Sequence, residues 1–217
     1  MATSVLARVG AILIGLGALS SGAQADVIYT SAAAFSAATQ NPVFIGFNGF
    51  LAGPTDFADV TGGTLNGVTA NSGTAGVNVN LTGSAYYGPG FTYAADYLVG
   101  SAGGTGPKIL DISFANPVSA LSLNFGSLFF GSTTLTLSNG TTVTNNAGPI
   151  MPNTQFLGFV TSSPITGFTL STPTSDDSYV LLDLTLAAPL PAPEPVTLSL
   201  FGAGVAGAIV LRRRKKA

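Results

Sequence analysis

The sequence predicts a mainly β protein: an antiparallel two-sheet sandwich, jelly-roll-like, with one short N-terminal helix, an N-terminal signal helix and a C-terminal transmembrane helix. Three observations lead there. Windows of alternating apolar and polar residues recur through the second half at the roughly 8–12-residue spacing of sandwiches, separated by Gly, Asn and Pro. Only 7% of the 217 residues are charged while 46% are apolar, so polarity rests on Ser, Thr, Asn and backbone amides, a mixture that suits strands and turns. Finally, an uncharged apolar run lies near each terminus.

The amino end is read first. Arg8 precedes the apolar run 9–19, and Ala23-Gln24-Ala25 follows it with small residues where a signal peptidase cuts. A core of about 11 residues is too short for a bilayer that asks for ~20. Residues 1–25 are therefore expected to be a signal peptide cleaved between Ala25 and Asp26, with signal peptidase as a partner. The exported body, 26–188, has no Cys, so core burial or bound ions must replace disulfides.

Within the body, Ser31 is placed to cap a short helix over 32–39, with Phe35 as its packing residue. Strands are expected at 43–47, 68–71 and 76–82. The glycines of this front half, Gly62-Gly63, Gly73, Gly76, Gly83, Gly88 and Gly90, fit long loops as well as tight hairpins. The second half is clearer. Strands are read at 109–114 and, after Pro117, at 118–125; then at 133–137 and 141–145 around Ser138-Asn139-Gly140, whose Asn-Gly is a strong hairpin signal because both residues tolerate positive φ. Further strands fall at 156–161, 165–171 and 179–186. In the last, strict alternation puts Val180, Leu182, Leu184 and Leu186 on a core face and Tyr179, Leu181, Asp183 and Thr185 on the other.

Residues 189–195, PLPAPEP, form an extended spacer. The uncharged run 196–211 gives a helix of roughly 24 Å, short of a ~30 Å bilayer core, a deficit that flanking basic residues can make up by snorkelling. Arg212, Arg213, Arg214, Lys215 and Lys216 then hold residues 212–217 in the cytoplasm, with the body on the other side of the lipid.

Pro193-Glu194-Pro195, a Gly- and Ala-rich membrane helix and an Arg-rich end, in that order over 193–217, resemble the PEP-CTERM protein-sorting signal of exopolysaccharide-producing Gram-negative bacteria. The resemblance implies recognition by an exosortase, a membrane-embedded cysteine transpeptidase-like enzyme cutting near Pro193-Glu194-Pro195, so that Glu194 belongs to a substrate motif. The patterning over 108–187 is also similar to the jelly-roll-like β-sandwich ectodomains of PEP-CTERM proteins. An exported cell-surface or extracellular-matrix role associated with exopolysaccharide is the implied function.

Composition limits what the body can do. Without Cys, His or Trp it has no thiol nucleophile, imidazole base, Ser-His-Asp triad, zinc finger or histidine-ligated iron or copper. Between Asp26 and Pro193 stand eight acids, Asp26, Asp56, Asp59, Asp96, Asp111, Asp176, Asp177 and Asp183, against Lys108 alone, a balance of −7 where the whole chain carries −2. Nucleic acid is thereby not an expected partner, since phosphate neutralisation needs clustered bases.

Three activities remain to weigh. Tyr86, Tyr87 and Tyr93, with Phe91 and Tyr97 around Gly88-Pro89-Gly90, can stack on pyranose rings as a carbohydrate-binding module does, or else be core aromatics beside a loop. Asp176, Asp177 and Asp183, or Asp56 and Asp59, supply hard oxygens for a structural calcium ion, or else are solvated loop acids. Paired carboxylates such as Asp176, Asp177, Asp183 or Asp96 are the residue type for a glycan hydrolase, and Lys108 is the one residue available to Ser-Lys chemistry. Adjacent carboxylates on a Thr-Pro-Thr-Ser-Asp-Asp-Ser loop read better as a turn, so no catalytic residue and no enzymatic activity are expected.

Overall fold

The computed structural model describes residues 26–88, 92–100, 106–128, 131–146, 153–173 and 177–191. The expected signal helix, Pro193-Glu194-Pro195, the membrane helix 196–211 and the basic residues Arg212, Arg213, Arg214, Lys215 and Lys216 lie outside the described residues, as do Ala23, Ala25, Phe91 and Asp176. Among the described residues no helix is long and apolar enough to cross a membrane.

Among those residues, twelve strands and one helix follow in chain order: β1 (Val27–Tyr29), α1 (Ala32–Ala38), β2 (Thr39–Gly46), β3 (Phe57–Asp59), β4 (Gly63–Leu65), β5 (Val68–Ser72), β6 (Val79–Thr82), β7 (Tyr97–Gly100), β8 (Ile109–Ser127), β9 (Ser132–Leu137), β10 (Thr142–Asn146), β11 (Asn153–Ser171) and β12 (Tyr179–Pro189). All pairings are antiparallel. The main path runs β10-β9-β11-β8-β12-β7-β6-β3, with β1 on β11, β2 on β12, and β5, carrying β4, on β8.

The short helix forms as its cap dictates. Ser31 Oγ accepts from Ala34 N–H at 3.2 Å, satisfying one of the donors that a first turn leaves orphaned. Phe35 packs with Ala120, Val160 and Ala187 in a small apolar cluster on the sheet. Thr39, expected as the last helical residue, is already extended and opens β2.

The layers join where two separate sheets were expected. β8 and β11, 19 residues each, pair along most of their length, with register shifts between Val160 and Ile165 and between Ile165 and Gly167. Thus 109–114 with 118–125, and 156–161 with 165–171, are arms of single irregular strands. Pro117 falls between the pairs Gly167↔Ser113 and Ile165↔Val118, where its missing N–H costs no ladder bond. One arm of β8 is flanked by β5 and the other by β12. Leu110, Ile112, Leu135 and Leu170 from one side meet Leu121, Leu123, Phe125 and Leu184 from the other in the main core. Each such side chain contributes about 2 kcal/mol on burial, and this is how a chain without cysteine holds together.

Two local expectations are corrected. Strict alternation fails in β12 because its register on β8 slips between Leu181 and Asp183, as a β-bulge does. Tyr179 and Leu181 therefore lie in the main core with Leu184, Leu186 packs against it, and Val180 joins a second cluster that Leu182 packs against. In the 138–140 turn only Gly140 takes positive φ, at 93°; Asn139 instead sends its amide to Asp26 Oδ2 at 2.8 Å. The two-residue turn with positive φ at both positions is Asn66-Gly67, at 47° and 90°, between the paired residues Leu65 and Val68.

Candidate functional site

The region that sequence reasoning marked out by its tyrosines is the outer face of the β7-β6-β3 segment. Pairing sets that face: Tyr97 stands opposite Thr82 and Val99 opposite Asn80, while Phe57 is opposite Thr82 and Asp59 opposite Asn80. The alternate residues Val79, Leu81 and Leu98 enter the main core, as period-two geometry requires.

The outer face is covered at one end and open at the other. Over β7, Tyr93 packs on Tyr97 with ring centroids 4.5 Å apart; both belong to the second cluster with Val99, Leu128 and Val180, and Tyr87 lies against it. Tyr93 is only 4% exposed, so it is a core aromatic. Burial pushes the phenols of Tyr87, Tyr93 and Tyr97 above their ordinary value, and the negative charge of Asp177 adds to the effect at Tyr93. The hydroxyls of Tyr93, Tyr97 and Tyr179 are buried without a hydrogen-bond partner among the described residues.

At the open end Phe57 is 56% and Tyr86 38% exposed. Their rings meet at 5.2 Å with planes inclined by 63°, and Tyr86 meets Tyr87 edge-on at 5.0 Å. The turn that carries Tyr86 is pinned to the approach to β3: Gly83 N–H donates to Asp56 O at 2.9 Å and Ala85 N–H to Pro54 O at 2.8 Å. A Cβ on Gly83 would fall 2.4 Å from Pro54 O, so only glycine permits this approach. Asn48 Oδ1 accepts from Asp96 N–H at 2.9 Å and Asp96 Oδ1 accepts from Ser84 N–H at 3.2 Å, tying the two loops together.

Asp59 shares this face, two residues along β3 from Phe57. Its Oδ1 accepts from Thr61 N–H at 2.9 Å and Thr61 Oγ1 at 2.7 Å, and its Oδ2 from Asn78 Nδ2 at 2.8 Å. The Thr61 bonds hold the carboxyl below its ordinary value. Thr61 Oγ1 in turn accepts from Val79 N–H at 2.8 Å. Nothing in the sequence marks Phe57 and Asp59 as glycan contacts; the alternation Phe57-Ala58-Asp59 is too short to read as a strand without its partner β6.

The acids proposed for calcium or hydrolysis have other company. Asp177 is buried; its Oδ2 accepts from Ser127 Oγ at 2.5 Å and Gly131 N–H at 2.6 Å, and its Oδ1 from Ser178 N–H at 2.7 Å. Asp183 lies beyond the bulge, its two oxygens taking both contacts from Asn124 Nδ2, at 2.9 and 3.0 Å. Burial pushes Asp183 up and the Asn124 bonds oppose this. Among the described residues no three acidic side chains come together as a metal would need. Lys108 is 1% exposed, with its backbone N–H on Thr172 Oγ1 at 3.4 Å.

Asp26 has a part the sequence did not reveal. Its Oδ2 accepts from Asn139 Nδ2 and Thr141 Oγ1, and its Oδ1 from Ser162 N–H and Oγ. The residue expected just after the signal cleavage thus fastens the start of the body to the β9-β10 turn and to β11.

The other end of the body closes beside α1. Thr39 pairs with Pro189, Leu190 N–H donates to Ala38 O at 3.0 Å, and the next residues begin the Pro-rich stretch and its apolar, base-terminated continuation. Residues 191–215 match the family model of the PEP-CTERM protein-sorting motif. The sorting motif therefore starts one residue after the hydrogen bond that ends the body. A search of curated protein sequences finds no match. Among solved structures, the chain is similar to a family 29 carbohydrate-binding module, a point mutant of CBM29-2 complexed with mannohexaose, at 10% identity and a TM-score of 0.39, covering 69% of this chain and 92% of that one. It is also similar to the family 11 carbohydrate-binding module of the cellulosomal cellulase Lic26A-Cel5E of Clostridium thermocellum, at 10% identity and a TM-score of 0.33, covering 66% and 99%. A family two carbohydrate esterase from Cellvibrio japonicus matches at 15% identity and a TM-score of 0.28, covering 58% of this chain and 36% of that one.

Proposed function

We propose that this chain is an exported protein, made as an inner-membrane-anchored precursor with its β-sandwich outside the cytoplasm. An exosortase processes it at Pro193-Glu194-Pro195, and it then serves as a non-enzymatic structural or adhesive component of the cell surface or extracellular matrix, associated with exopolysaccharide. The observation that carries this reading is the sorting motif at 191–215, joined to the body with no intervening domain. The sequence suits the chemistry: Pro189, Pro191, Pro193 and Pro195 lack the N–H that a helix or sheet ladder needs, a composition that favours access by a membrane-embedded enzyme, and the described body ends at the start of this run. The non-enzymatic part is supported by the commitment of the described carboxylates Asp177 and Asp183 to Ser127, Gly131, Ser178 and Asn124.

Intact-mass spectrometry of the protein from cells with and without an exosortase tests the proposal. The expected result is a product truncated near Pro195 and released from the inner membrane only when the enzyme is present. An unprocessed carboxyl end in both strains, or a body retained in the cytoplasm, would overturn it.

A further inference from the structure

We propose that Phe57, Tyr86, Asp59 and Asn78 form a contact site for a neutral, hydroxyl-rich polysaccharide chain. This rests on the reading of the protein as an exopolysaccharide-associated surface component and names the surface and the ligand class. Three features of the open end of the outer face carry it.

First, two large aromatic side chains are left in solvent while their neighbours Tyr93 and Tyr97 are buried. Their mutual inclination of 63° offers ring faces in two directions, and the apolar face of a pyranose ring is a natural partner for such a surface. Second, polar groups on the same face are held in place. Asp59 is fixed by three hydrogen bonds to Thr61 and Asn78, which leaves a carboxylate, with about four acceptor sites, one still to offer a sugar hydroxyl. Asn80, opposite Asp59 on the neighbouring strand, adds an amide.

Third, charge selects the class. Lys108 is the only base between Asp26 and Pro193, and it is buried. No lysine or arginine side chain is therefore exposed among the described residues, while Asp59 stands ionised in the strip itself. A uronic-acid or sulfated polymer would meet like charge here; a neutral glucan or mannan would not. Placement agrees with the role. The strip is built outward from the Tyr179 end of β12 through β7 and β6, whereas the sorting motif departs from the Pro189 end. Those ends bound an 11-residue strand, ten steps or roughly 33 Å long, so the anchored precursor holds the strip away from its tether.

The test uses the full chain in detergent micelles, run on native gels cast with a soluble mixed-linkage β-glucan, a mannan or alginate. Expected is retardation by at least one of the two neutral polymers that depends on Tyr86, and none by alginate that depends on it: retardation in alginate that Tyr86→Ala leaves unchanged belongs to the basic run Arg212, Arg213, Arg214, Lys215 and Lys216. Phe57→Ala and Tyr86→Ala should each weaken retardation roughly three- to tenfold, Asp59→Asn should weaken it less, and Tyr93→Phe should leave it unchanged. Circular dichroism checks folding; if Phe57→Ala unfolds, Tyr86→Ala, a substitution on an exposed turn, decides alone. Free migration of the wild type through both neutral gels, retardation by alginate that Tyr86→Ala weakens as much as it weakens retardation by the neutral polymers, or full retardation of a folded Tyr86→Ala variant in the neutral gels would overturn the site. No exosortase takes part in the assay, so failure here leaves the sorting proposal standing, and failed sorting leaves the gel result intact.

Discussion

Replacing Asp26 by Ala removes four hydrogen bonds at once, those from Asn139, Thr141 and the two from Ser162. Bonds to a carboxylate buried in the interior are worth ~1.5–3 kcal/mol each, but Asp26 is only partly buried and water substitutes for much of what is lost. About 1–2 kcal/mol for the whole set is the expected cost, which for a body of this size lowers Tm by roughly 2–8 °C. The effect must also depend on pH. The bond to Thr141, then those to Ser162 and Asn139, hold the Asp26 carboxyl below its ordinary value of 3.8. Its contribution is therefore complete above 3.8 and disappears as pH falls through the lower folded value. Asp183 works in the opposite sense: burial raises its carboxyl, so its cost is present at neutral pH and is relieved as pH falls through the raised folded value toward 3.8. The difference between wild type and Asp26→Ala cancels the Asp183 contribution. Thermal unfolding followed by near-ultraviolet circular dichroism at pH 7 and at about pH 2.5 measures it. Equal Tm values at pH 7, or a difference that fails to shrink in acid, would refute the claim that Asp26 clasps the body.

Two further predictions concern packing. Tyr97→Phe removes a buried hydroxyl with no partner among the described residues and should stabilise by up to ~1–2 kcal/mol, seen as a raised urea midpoint at unchanged m-value; a lower midpoint would mean that the hydroxyl is bonded in solution. Gly167→Ala should be severe, because the added Cβ would fall 2.0 Å from the Ile112 carbonyl oxygen across the β8-β11 pairing. A loss of about 3 kcal/mol or more is expected from so close a backbone clash, and an unfolding curve matching wild type would show that the strands do not approach so closely.

What could be read from sequence was local. The Ser31 cap and the packing of Phe35, the β9-β10 hairpin around Gly140 and the long strand after Asp177 each depend on residues close in the chain, and each is present. What escaped depended on partners far away. The β12 bulge follows from its pairing with β8 some sixty positions earlier, and alternation alone has no means of locating a slipped register. Tyr97–Gly100 reads Tyr-Leu-Val-Gly, four buried residues, and gives no strand signal because a strand covered on both sides does not alternate. Asn66-Gly67 carried the same turn signal as Asn139-Gly140, but its flanking strands are too short to draw notice. At the candidate site, Tyr86 was visible as part of an aromatic cluster and Tyr93 belonged to the same cluster; only the fold separates the exposed ring from the buried one and brings Phe57 and Asp59 alongside.

The burial of Lys108 has a practical corollary. Trypsin cuts after lysine and arginine, and across the entire sandwich it finds one such bond, beside a buried side chain. Proteases of that specificity meet little to recognise on the folded body, and amine-directed cross-linkers meet little more. Routine tryptic proteomics would yield two unwieldy fragments from the body, whose eight aspartates make an aspartate-directed enzyme the better choice.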